Sequence, residues 1–233
     1  MYNTPSEHWK EAFINGKVLL IDKPLNWTSF DAVKKIRVLT GVSKVGHAGT
    51  LDPLATGLLI ICTGKYTKRI NEYMAAEKEY TGTFTLGATT PTYDLESEPI
   101  FKSDFSNLSV DDILNATKPF IGNIMQIPPA HSAIKKSGTP SYILARKGKE
   151  VVLDPRPITI NIFEITNIDL PTLNFRVVCS TGTYIRSLAN DFGNLLGCGA
   201  YLSGLRRTRI GEFKVEEAQS IEDFVEDIKR LKN

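Results

Sequence analysis

Two hydrophobic periods alternate along the chain. The apolar run Val18 to Ile21 stops at Lys23-Pro24 and predicts a short buried strand, because proline removes a ladder donor. A helix is predicted next: Thr28 or Ser29 can cap it, Phe30, Val33 and Ile36 recur on one face, and Gly41 offers a left-handed stop. Residues 42–53 read as a glycine-bearing loop, and LATGLLIICTG, 54–64, as a turn running into a buried strand. The alternating stretch 79–87, rich in β-formers, predicts another strand. Ser109 and Asp112 have capping-box spacing for a helix with Ile113 and Ala116 inward. Residues 127–156 break the pattern: two prolines, a polar SGTP turn, a helical SYILARKGKE and then Pro155 and Pro157 predict an insertion projecting from the body. Strand character returns in ITINIFEITNIDL and NFRVVCST. A helix over about 183–196 turns Ile185, Leu188, Phe192 and Leu195 inward and stops at Gly197. A last helix from Ser220 aligns Ile221, Phe224, Ile228 and Leu231. No internal repeat or biased linker divides the chain, so the expectation is one α+β domain over 1–233.

Composition narrows the class. At 233 residues and 42% hydrophobic, the chain can bury a substantial core. Cys62, Cys179 and Cys198 are widely spaced and form no metal-ligating cluster, which fits a reducing compartment. The first thirteen residues lack a basic-then-apolar signal pattern, and the longest apolar runs are too short to span a bilayer. A cytoplasmic protein with no membrane partner is therefore expected. A net charge of +2 does not by itself suggest nucleic acid. Two basic clusters qualify that: Lys135, Lys136, Arg146, Lys147 and Lys149 form one, and Arg206, Arg207 and Arg209 the other. Each reads either as a solvated face or as a phosphate-contacting one.

The densest local signal is GHAGTLDPLATG, 46–57. Its glycines permit tight turns or close approach to a ligand, and Pro53 excludes Asp52 from ordinary helical geometry. Two readings stand side by side. Asp52 can be a plain N-cap with Pro53 as the first helical residue, or a carboxylate presented for chemistry on a loop between two buried elements.

Further segments bear on that choice: LLIDKP at 19–24, KEY at 78–80, QIPPAHSAIK at 126–135, YILARKG at 142–148, STGTYIRSLANDFG at 180–193 and LGCGAYLSGLRR at 196–207. With the 46–57 loop, and in this order, they resemble the TruB family of tRNA pseudouridine synthases. The resemblance implies a pseudouridine synthase fold, a central mixed, largely antiparallel sheet flanked by helices with a thumb-like insertion at about 127–156. It also implies isomerisation of uridine 55 in the T loop of tRNA, after base flipping, by attack of Asp52 on the sugar or on the base. Arg186 would hold the carboxylate ionised, and Tyr80 would stack on the uracil and relay a proton. Tyr184, Leu205 and His47 would contact the flipped nucleotide or its backbone. Lys23, Asp94 and Arg146 complete the implied substrate-binding set. No cofactor is implied, because the rearrangement is redox-neutral and needs no group donor. The partner is the T stem-loop of tRNA, and a monomer is expected.

Three departures accompany the resemblance. The chain ends soon after the helix at 220–231, so a C-terminal RNA-binding module of the PUA type, common in the family, is not expected. Pro91 stands where an acidic residue is usual, and His131 where an aromatic one is usual. Two other functions remain in view. One is a tRNA-folding chaperone that needs RNA binding but not catalysis. The other is a guide-RNA-dependent synthase subunit, disfavoured because the chain lacks room for the accessory RNA-binding domain.

Overall fold

The computed structural model describes residues 8–136 and 138–232. The start of the N-terminal segment read above, residues 1–7, and Ser137 of the SGTP turn lie outside the described residues. In chain order the elements begin with α1 (His8–Asn15), β1 (Val18–Lys23), α2 (Ser29–Thr40), β2 (Val45–His47), β3 (Ala55–Thr63), α3 (Ile70–Ala75) and β4 (Lys78–Leu86). They continue with β5 (Ala88–Thr89), β6 (Phe101–Lys102), α4 (Val110–Asn115), β7 (Gly122–Gln126), β8 (Lys135–Lys136), β9 (Thr139–Pro140) and α5 (Ser141–Arg146). The remainder is β10 (Arg156–Asp169), β11 (Thr172–Cys179), α6 (Ile185–Leu195), β12 (Ala200–Ile210), β13 (Phe213–Lys214) and α7 (Ile221–Lys232).

The chain divides into two compact units: residues up to Tyr80 together with those from Arg206 onward, and residues Thr81 to Leu205. Strands β4 and β12 each have residues in both. In the first unit β1 and β2 pair antiparallel with β3, and β13 pairs antiparallel with β12. Leu59 and Ile61 of β3 face a core shared with Ile21, Val33, Ile36, Phe224 and Ile228. Leu58, Ile60 and Cys62 face a second cluster containing Ile210 and Val215. Burial on both faces is why this segment reads as an unbroken apolar run. Thr28 caps α2 in a full capping box with Asp31, and Gly41 closes it at φ 65°.

In the second unit the strand order is β12-β4-β11-β10-β7, and β10 pairs antiparallel with both β11 and β7. Four phenylalanines, Phe84, Phe163, Phe175 and Phe192, fill its core; Phe84 and Phe175 stack at 4.1 Å. Gly82 is required there, because a Cβ would lie 2.2 Å from the Gly204 carbonyl oxygen. The insertion is a β8–β9 hairpin followed by α5, tied by hydrogen bonds from Ser141 N and Oγ to the Ile134 carbonyl.

The expected strands and the capped helices at 29–40 and 110–115 are present, and the α+β class holds. Several details differ. Phe30 is exposed, because the buried face of α2 is set by Ala32, Val33 and Ile36. Leu195 and Leu231 are likewise exposed, each sitting in the last turn of its helix beyond the reach of the core. The loop at 42–53 contains β2, and the insertion helix ends at Arg146 rather than Glu150.

Candidate active site

In the first unit, no helix follows Pro53. The Asp52 carbonyl accepts a hydrogen bond from Ala55 N at 3.1 Å, and the chain makes one turn and enters β3. The capping explanation of Asp52 therefore falls: its half-buried carboxylate sits on a turn between β2 and β3.

Three side chains fix that turn. Ser29, at the start of α2, donates from Oγ to the Leu51 carbonyl (3.1 Å) and accepts from Leu51 N (2.8 Å). Arg207, on β12 and 1% exposed, donates from Nε to Leu58 O (2.8 Å), from Nη1 to Thr50 O (3.3 Å) and from Nη2 to Gly49 O (3.2 Å). It thus grips carbonyls on both sides of Asp52. Lys23, fully buried at the end of β1, donates from Nζ to the carbonyls of Pro24 (2.9 Å), Trp27 (2.6 Å) and Pro53 (3.5 Å). Burial lowers the Lys23 pKa to about 8, with the Asp52 charge opposing and the Arg207 charge adding to the shift. Burial also lowers the His47 pKa, the Arg207 cation adding to the fall while a hydrogen bond with the Gly49 backbone opposes it. His47 is therefore neutral at pH 7 and suits a steric or hydrogen-bonding task. Tyr80, on β4, is 9% exposed.

The residues of the second basic cluster all have internal partners. Arg206 makes a two-point pair with Asp22 (3.0 and 2.6 Å), Arg209 pairs with Glu77 (2.7 Å) and Glu79 (3.6 Å), and Arg207 is the loop clamp just described. A fully buried arginine satisfied by carbonyls gives no sign of itself in composition.

In the second unit Arg186 is the second residue of α6 and 5% exposed. Its Nε lies 3.6 Å from Oδ2 of Asp94, itself 4% exposed, and its Nη groups donate to Thr92 O (3.4 Å) and His131 O (3.1 Å). Asp94 is held by hydrogen bonds from Glu96 N to its carboxylate (3.0 Å) and from the Thr90 and Thr92 hydroxyls to its carbonyl (2.8 and 3.3 Å). Asp94 is thus placed as a partner of Arg186. Tyr184, half-buried, precedes α6, and Gln126 clamps its backbone at both ends: Tyr184 N to Oε1 at 2.8 Å and Nε2 to Tyr184 O at 3.1 Å. Gln126 was visible only as part of a motif, and its burial at 3% marks it as structural support for Tyr184. Because Arg186 meets the His131 main chain, the unusual side chain there leaves that contact intact. Leu205 lies within β12 and is half-buried. Arg146 is exposed at the end of α5, 4.0 Å from Glu96, and Lys135, Lys147 and Lys149 are exposed nearby in the insertion. Among the described residues no group of three His, Cys, Asp or Glu side chains could hold a metal, and no helix is long and apolar enough to cross a membrane.

Comparison with solved structures defines the class. The chain superposes on a Cbf5–Nop10–Gar1 complex with a TM-score of 0.74 at 31% identity, covering 95% of this chain and 57% of that one. It superposes on an H/ACA RNP bound to a substrate RNA containing 2′-deoxyuridine with a TM-score of 0.70 at 29% identity, covering 95% and 56%. The architecture is the pseudouridine synthase fold. Residues 37–185 match the model of the TruB family pseudouridylate synthase N-terminal domain, and residues 186–233 that of the tRNA pseudouridylate synthase B C-terminal domain. Relatives named tRNA pseudouridine synthase B include one from Flavobacterium johnsoniae, 52% identical over 94% of this chain and 98% of its own length. Another, from Phocaeicola vulgatus, is 50% identical over 92% and 94%. The chain belongs to the TruB family of pseudouridylate synthases.

Proposed function

We propose that this chain isomerises uridine 55 in the T loop of tRNA to pseudouridine, with Asp52 as the nucleophile, and that residues 1–233 serve as one catalytic domain. The observation that carries the reading is the Asp52 turn: a half-buried carboxylate that caps no helix, on a loop gripped by Arg207 and beside the buried ammonium of Lys23. The names and near-complete coverage of the curated relatives support tRNA as the substrate class. In the reaction the bond between N1 and C1′ breaks and one between C5 and C1′ forms, while C5 loses its proton and N1 gains one. Nothing is oxidised, so no cofactor enters the scheme. In this reading Tyr80 stacks on the uracil and relays a proton, Arg186 keeps the nucleophile ionised, and His47, Tyr184 and Leu205 contact the extruded nucleotide. Exposed Arg146 and its neighbours in the insertion meet phosphates. The protein works as a cytoplasmic monomer.

The test is incubation of the purified chain with unmodified tRNA transcript, followed by mapping of pseudouridine at single-nucleotide resolution. One product position in the T loop is expected. Conversion of naked transcript also excludes a guide-RNA requirement. A product elsewhere, or none, overturns the assignment.

Lys23 adds a pH signature. Its ammonium is present below about pH 8, where its charge strengthens the hydrogen bonds to the Pro24, Trp27 and Pro53 carbonyls beside the Asp52 turn. As pH rises through about 8 the charge is lost, so the single-turnover rate should decline there, and Lys23→Met should lack that limb. Stability moves the other way. The folded pKa lies below the ordinary 10.5, so between the two values the unfolded chain binds a proton that the folded chain does not, and Lys23 contributes increasing stability as pH rises. Urea melts run alongside the rate profile separate the two effects; a wild-type rate that stays flat through pH 9 counts against the role given to Lys23.

A further inference from the structure

Beside the Asp52 turn, and wholly within the first unit, α2 carries a groove that the chemistry above leaves unused. Its volume is about 390 Å³, and Asn26, Trp27, Asp31, Lys34, Lys35 and Val38 line it. That is within the range of roughly 300–1,000 Å³ typical of small-ligand sites. We propose that this groove takes a nucleotide of the substrate RNA flanking the target uridine, its base against Trp27 and the adjacent phosphates on Lys34 and Lys35; the inference rests on the RNA substrate proposed above.

Several observations converge on that occupant. The groove is joined to the catalytic turn by short bonds: Asn26 N donates to the Pro53 carbonyl at 2.8 Å, and Ser29, two residues after Trp27, holds Leu51 on both its N–H and its carbonyl. The groove wall thus adjoins the turn that carries Asp52, to which the strand must deliver its uridine. Asn26 is held at φ 64°, a left-handed conformation a non-glycine residue adopts at a cost, and such strain concentrates at functional sites. Trp27 packs one side on the core while remaining partly exposed, as a stacking platform must.

Charge favours RNA over a neutral partner. Lys34 and Lys35 are exposed, and neither has a carboxylate within 4.0 Å among the described residues. The nearby acid, Asp31, caps the helix, its Oδ2 accepting from Thr28 N (2.9 Å) and Thr28 Oγ1 (2.6 Å), and its charge also interacts with Lys34, so the lining of two lysines and one aspartate stays net positive by one. Val38, 71% exposed, extends the apolar floor along the helix, where the lysine stems can lie against a base. Aromatic and aliphatic surface flanked by exposed cations is the chemistry of single-stranded nucleic-acid binding.

Trp27 supplies its own reporter, since the chain holds two tryptophans. In Trp9→Phe, Trp27 is the sole one, and titration with an unmodified T stem-loop RNA should quench its emission at the midpoint found by an independent binding assay. Lys34→Gln/Lys35→Gln should reduce the slope of log affinity against log salt by about 1.4, two contacts at about 0.7 each, which at about 0.15 M salt is roughly a tenfold loss of affinity. Lys34 and Lys35 are exposed, Trp9 is partly buried against Phe13 where a phenylalanine keeps an aromatic ring, and circular dichroism checks that both variants fold. RNA that binds and is converted while Trp27 emission and the salt slope stay unchanged overturns the groove alone, including the case where a protein rather than RNA occupies it. Stem-loop RNA that neither binds nor reacts with the unsubstituted chain overturns the function reading, and the groove's occupant with it.

Discussion

Asp52→Asn should abolish conversion of uridine to pseudouridine, by at least about 10⁴-fold in single-turnover rate, the scale seen when a nucleophile is removed. The substitution keeps size and shape but removes the negative charge. The turn is held through main-chain atoms: Ala55 N bonds to the Asp52 carbonyl, Arg207 grips Thr50, Gly49 and Leu58, and Ser29 holds Leu51. Folding should therefore survive, and affinity for tRNA should change by only a few fold, because phosphate contacts and shape carry RNA binding. Removing the Asp52 charge should lower the pKa of Lys23 further, since it is the larger of the two carboxylate charges, with Asp31, that raise it. Unimpaired conversion by the purified variant would falsify the assignment. The same variant separates catalysis from chaperoning. A biological effect that persists with modification gone assigns that effect to tRNA remodelling.

The sequence made the elements legible where one face or one cap decides. Thr28 with Asp31 and Ser109 with Asp112 both appear as full capping boxes, and the apolar run of β3 is buried as expected. It failed where burial is polar. Strand β12 carries Arg207 at an interior position, which breaks its alternation, so the segment was read as a motif without an element. Strand β7 exposes Met125 and buries Gln126, inverting the usual pattern, and it too went unread. Of the candidate site, the motif residues are named by resemblance. Their supports, Arg207, Gln126 and Ser29, act through main-chain carbonyls and amides, which leave no charge pairing for a sequence reading to detect. Composition offers phosphate contact or solvation for residues 206–209, and in the structure each guanidinium also finds an internal acceptor.

Arg186→Lys should retain RNA binding and lose about 100-fold in rate, the scale set by a misplacement of about 1 Å at a reacting group. The guanidinium works in three directions at once, toward the Asp94 carboxylate and the carbonyls of Thr92 and His131, in a site where arginine and aspartate are each about 5% exposed or less. A lysine ammonium is one point on a flexible stem; it can neutralise Asp94 but cannot reproduce the planar fork, so the position of the cation shifts even though its charge remains. Arg186→Ala is a different experiment. It strands Asp94 as a buried, unpaired carboxylate, which costs about 3–5 kcal/mol and should appear as a lowered urea midpoint. The pair of variants distinguishes the two roles of the residue. If Arg186→Lys keeps both the melting midpoint and a near-normal rate, the guanidinium serves charge balance alone, and its planar fork plays no part in the reaction. If its midpoint is kept and its rate falls as expected, the fixed fork contributes to the reaction itself, and Thr92 and His131 count among the groups that aim it.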